Sequence, residues 1–125
     1  MAHPTYKLVI LFKQPAHPAE FERRWSEEFV PLAERLPGLQ RVVVSRTHGG
    51  PAGPVEMYLI HELHFEGFHN LARAMNSPAG VAAGQSLLQL AGTDVTLVFA
   101  EHMEDKPMPP AAAVTLAAPE PPEAG

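Results

Sequence analysis

A chain of 125 residues, 46% of them apolar and with a mean hydropathy of −0.07, suits one globular domain and offers no bilayer-spanning run of about 20 apolar residues. Nine Lys and Arg against fourteen Asp and Glu leave a net charge of −5, the wrong sign for a nucleic acid or an anionic membrane as partner. The absence of cysteine excludes disulfides, thiolate nucleophiles and Cys-ligated metal centres; the opening Met1–Tyr6 lacks the regions of a secretory signal, so the expected location is cytoplasmic.

Tyr6–Lys13 is short, rich in β-branched and aromatic residues and stopped by Gln14-Pro15, which predicts a strand apolar on both faces. Phe21, Trp25, Phe29, Leu32 and Leu36 then recur at helical spacing between Pro18 and Pro37-Gly38, predicting an amphipathic helix over 18–36. Pro31 lies inside that helix and is expected to kink it near Glu27. Leu39–Thr47 reads as a second strand, His48–Pro54 as a Gly/Pro loop and Val55–Phe65 as a third strand.

Phe68, Leu71, Ala72 and Met75 mark a short helix; Ser77-Pro78 supplies an N-cap and a first-turn proline for a second, ending near Leu90 before Gly92. Thr93–His102 alternates as a fourth strand. Six of the fourteen prolines lie between Pro107 and Pro122, so the chain divides into a domain over 1–105 and an extended or disordered Pro/Ala-rich tail over 106–125.

The order β-α-β-β-α-β is the ferredoxin-like pattern: α+β, with a four-stranded antiparallel sheet and both helical segments on one face. A sheet with one solvated face alternates apolar and polar residues, yet here Val9 and Leu11 oppose Leu8, Ile10 and Phe12, and Ile60 opposes Leu59 and Leu63. The second face therefore needs a cover, and a second copy on a two-fold axis supplies one: a homodimer whose two sheets form a dimeric α+β barrel. The space between sheet and first helix is the expected site for a small ligand.

Several motifs agree in order and spacing: Trp25 with Phe29-Val30-Pro31-Leu32, Leu36-Pro37-Gly38-Leu39, Glu62-Leu63-His64-Phe65-Glu66 and Met75-Asn76-Ser77-Pro78. Together they resemble the EthD family of dimeric α+β barrels over roughly residues 6–104. That resemblance implies a small apolar ligand, often cyclic or aromatic, and kinship with accessory proteins of ether-degrading oxygenase clusters, polyketide-pathway dehydratases or decarboxylases and muconolactone-type isomerases. Family members commonly carry His-x-Pro-Leu in the first helix. Here that histidine is Phe29, which can shape and dry a pocket but cannot move a proton.

The densest run of ionisable groups is Ile60–His69, with three histidines and two glutamates. His61-Glu62-Leu63-His64 is one residue short of the zinc motif H-E-x-x-H, and on a strand its two imidazoles point to opposite faces, so no metal site is expected. By parity Met57, Leu59, His61, Leu63 and Phe65 share one face and Glu56, Tyr58, Ile60, Glu62 and His64 the other; parity alone does not choose which lines the ligand space. The resemblance favours the parity of Phe65, hence His61 and Met57, with Tyr58 and Glu62 next, Phe29 from the helix, and Arg46 as a counter-charge at the barrel mouth.

Two functions follow as expectations. One is a ligand-binding or accessory dimer with a dry pocket and no cofactor. The other is a cofactor-free isomerase, dehydratase, decarboxylase or monooxygenase-like enzyme with His61 as acid/base. A third role, recruitment of a partner by the tail, lacks a basic-flanked Pro-x-x-Pro core.

Overall fold

The structure is a computed structural model that describes residues 3–105 and 107; the tail expected over 106–125 otherwise lies outside the described residues. Its elements are β1 (Thr5–Lys13), α1 (Pro18–Arg24), a π-helical turn (Trp25–Phe29), α2 (Val30–Ala33), β2 (Arg41–Arg46), β3 (Met57–Phe65), α3 (Phe68–Asn76), α4 (Pro78–Ala91) and β4 (Val95–His102). Every expected strand and helix forms within a few residues of its sequence boundary, and the sheet order β2-β3-β1-β4 with antiparallel neighbours is the ferredoxin-like arrangement.

The core lies between this sheet and the helices. Leu8, Ile10 and Phe12 of β1 and Leu59, Leu63 and Phe65 of β3 are buried against Phe21, Trp25 and Phe29. The opposite face carries Val9, Leu11, Val43, Ile60 and Val98, all still partly exposed. That face is apolar enough to need a cover, since burying a Val, Leu or Ile side chain is worth about 1.5–3 kcal/mol.

Two local features depart from the simple pattern. Pro31 lacks the N–H that would close the helix onto Glu27, and the expected irregularity takes the form of a π-turn, in which the Val30 N–H reaches Trp25 O. The wider turn sets Trp25 and Phe29, both buried, over β3. The second feature is a register shift in the β1–β3 ladder: Phe12 faces Leu59, but Lys13 faces Met57, leaving Tyr58 as the extra residue of a bulge.

The bulge corrects the parity expected from the sequence. Met57 pairs with Lys13 on the outer face, away from His61, whereas Tyr58 turns toward the helices, its ring meeting Phe21 edge-on at 5.8 Å. At the α3–α4 junction Ser77 caps as expected, its Oγ accepting from the Gly80 N–H at 3.0 Å. Gly80 is required there, because a Cβ would collide with the carbonyl oxygens of Ala74 and Met75.

Candidate functional site

His61 stands on the helix-facing side of β3, opposite Ile10 of β1 and Val44 of β2. It has no exposed surface. The Trp25 Nε1–H donates to its Nδ1 at 3.3 Å, and the Trp25 and Phe29 rings meet the imidazole edge-on at 5.3 and 5.7 Å. Its Nε2 is buried without a hydrogen-bond partner, the sole such side-chain atom among the described residues. Buried polar atoms are ordinarily paired, and leaving one unpaired costs about 1–3 kcal/mol, so this atom calls for an explanation. Burial in these neutral surroundings also pushes the imidazole down from 6.5 to about 4.

A clasp of three residues stands beside Trp25. Arg46, at the end of β2, donates to Glu22 of α1 through Nε at 2.9 Å and Nη2 at 2.8 Å; the Tyr58 hydroxyl donates to the same carboxylate at 2.8 Å. The Arg46 guanidinium also lies over the Trp25 ring, 5.9 Å from its centroid. Arg46 first, then Tyr58, hold the Glu22 carboxyl below its ordinary value despite partial burial, and the same carboxylate raises the Tyr58 phenol. Helix and sheet are thus tied together at the end of the core where Trp25 meets His61.

The remaining candidates go elsewhere. Glu62 lies on the outer face, accepting from Lys7 Nζ at 2.9 Å with His64 Nε2 at 3.1 Å. Burial opposes ionisation of Glu62, but the Lys7 and His64 hydrogen bonds outweigh it and lower its carboxyl. Arg41, His102 and Glu104 extend this network, with Arg41 Nη2 2.7 Å from Glu104 and the His64 and His102 rings edge-on at 4.7 Å. His61 and His64 therefore face opposite sides of the sheet, as strand alternation requires, while His69 sits exposed on α3 beside Arg73. Among the described residues no group of His, Asp and Glu is arranged to hold a metal ion, and no helix is long and apolar enough to cross a membrane.

Phe29, His61, Tyr58 and Arg46 are therefore gathered on the helix side; Met57 and Glu62 are not. Two residues of the helix-side cluster were not among the sequence candidates. Trp25 reads in sequence as a core anchor, and Glu22 is one more charge on an amphipathic helix; the available signal was that Glu22 adjoins the buried Phe21, at the border of the apolar stripe.

Comparison with known proteins identifies the family and the fold. A family model described as EthD domain matches residues 13–88. An uncharacterised 11.0 kDa protein of Rhodococcus erythropolis, from the thcB-thcC intergenic region, is 28% identical over 97 residues, covering 78% of this chain and 94% of its own. The crystal structure of an EthD family protein from Bacillus halodurans superposes with a TM-score of 0.76 at 31% identity, covering 79% of this chain and 99% of that one. At 18% identity, two more share the fold: a dimeric ferredoxin-like protein of Bacteroides fragilis (TM-score 0.54, covering 78% and 96%) and SnoaB, a cofactor-independent oxygenase of Streptomyces nogalater (TM-score 0.56, covering 86% and 99%). With a family model spanning more than half of its length and a solved relative of 31% identity along most of it, the chain belongs to the EthD family.

Proposed function

We propose that this protein is a homodimeric small-molecule-binding protein whose ligand, a small cyclic or aromatic compound, is held between the π-turn and β3 around His61. The observation that carries the reading is the unpartnered Nε2 of His61, walled by Trp25 and Phe29 in an otherwise apolar core. A ligand atom there would satisfy the one buried side-chain nitrogen or oxygen that has no partner among the described residues. The helical wall over His61 runs continuously through α1, the π-turn and α2 and is tied to the sheet by the Glu22–Arg46–Tyr58 clasp.

Dimerisation is supported by the partly exposed apolar residues of the outer sheet face and by the dimeric state named for the Bacteroides fragilis neighbour. The alternative of His61 as a proton-transfer group draws less support, because Trp25 occupies one ring nitrogen and burial disfavours the charged ring. Trp25 is the single tryptophan of the chain, so its fluorescence reports on the site directly. Titration with 1-naphthol is expected to change that emission saturably, and a Phe29→Ala variant to weaken the response; a linear, non-saturating change unaffected by Phe29→Ala would refute the site.

A further inference from the structure

The two nitrogens of His61 are not equivalent. Indole N–H is a donor only, so the Nδ1 facing Trp25 must offer its lone pair, and the proton of the neutral ring resides on Nε2. The buried, unpartnered atom is therefore an N–H donor. Nothing around it favours a second proton: Ile10 from β1, Val44 from β2, Leu59 and Leu63 along β3, and Trp25 and Phe29 from the helical layer are all uncharged. Arg46 and Glu22, paired beside the Trp25 ring, neutralise each other.

We infer that this site recognises its ligand through one hydrogen-bond-accepting oxygen, a ring carbonyl or the enolate or phenolate oxygen related to it, received by the Nε2–H of His61, with Trp25 as the positioning residue that sets the tautomer. The inference rests on the proposed site and narrows its ligand class. Ammonium and other donor-only groups would meet an N–H and stay unpaired. A metal ion would need a lone pair on Nε2, which requires moving the proton to Nδ1 and breaking the Trp25 bond. A ligand oxygen that gains negative charge is held more strongly than a neutral one, since hydrogen bonds to charged acceptors are about twice as strong as neutral ones. A neutral imidazole N–H can stabilise such a charge in a water-excluded site without itself taking a proton.

The test has two parts on the full-length protein. In the first, long-range ¹H–¹⁵N spectra at neutral pH are expected to show His61 as the neutral Nε2–H tautomer, with Trp25→Phe releasing it toward a mixture. A charged ring or an Nδ1–H tautomer in the unmutated protein would overturn the inference. In the second, Trp25 fluorescence is titrated with a matched pair of probes, 1-tetralone and tetralin, which differ by one carbonyl oxygen. The ketone is expected to bind about tenfold or more tightly relative to the hydrocarbon, a preference abolished in His61→Leu. Equal binding of the pair, or a preference that survives the substitution, overturns the donor role while leaving the site intact. If neither probe perturbs Trp25 but the tautomer is Nε2–H, the proposed site fails and the ligand class falls with it.

Discussion

Burial of His61 should make the stability of this protein fall with acid in a way that one substitution removes. The folded-state value is about 4 against an ordinary 6.5, so between those values the unfolded chain binds the proton and the folded chain does not. The contribution is therefore fully present above the unfolded value and is lost as pH falls toward about 4. From the linkage relation, moving from about pH 7.5 to about pH 5 should remove about 2 kcal/mol through this residue alone, rising to about 3 kcal/mol below both values.

The assay is urea unfolding at both pH values for the unmutated protein and His61→Gln, which cannot titrate and keeps an acceptor for the Trp25 N–H. His64, whose value burial also lowers, and the carboxylates of Glu22 and Glu62, which their partners lower, add acid sensitivity of their own. They act in both proteins, so the difference of differences isolates His61. The variant should lose about 2 kcal/mol less than the unmutated protein over that interval. Equal losses would show that His61 is charged or solvated in the folded state, and the argument about its surroundings would fail.

Three further outcomes follow from the packing. Gly80→Ala should destabilise by about 1–3 kcal/mol, read as a lowered thermal midpoint, because the added Cβ meets the α3 carbonyls rather than a movable side chain; an unchanged midpoint would mean the junction is looser than described. Ser77→Ala removes the cap on Gly80 and should cost about 1 kcal/mol, with Ser77→Asp recovering most of it. Leu11→Glu places a charge on the apolar outer face, so light scattering should report a dimer for the unmutated protein and a 13.6 kDa monomer for the variant. A monomer in both would remove the case for a shared barrel.

Element order and element type were legible in the sequence, because strand and helix periods are local properties of which residues must leave water, but β1, apolar on both faces, did not reveal its core-facing side. The motifs that resemble the EthD family pointed to the same fold. Parity also separated His61 from His64 correctly, which disposed of the chelating pair. It failed at Met57 and Tyr58, since a bulge is a property of two paired strands: nothing in Glu56-Met57-Tyr58 marks it, and the mismatch arises only when β1 and β3 are laid side by side.

The site divides the same way. Sequence by itself determined that a histidine would stand on an apolar strand face and that the first helix would present Phe29, a side chain that cannot move a proton, beside Pro31. Tertiary structure alone decided that the Trp25 N–H meets His61 Nδ1 across 36 residues of chain, and that Glu22, Arg46 and Tyr58 converge from α1, β2 and β3. Pro31 announced an irregular helix, and the tertiary structure shows the form it takes, a wide turn with Trp25 and Phe29 packed into the core. The physical reason is common to all of these. A hydrogen-bond partner for a buried polar atom is chosen by distance in three dimensions, and spacing along the chain carries no information about that distance once the elements have packed.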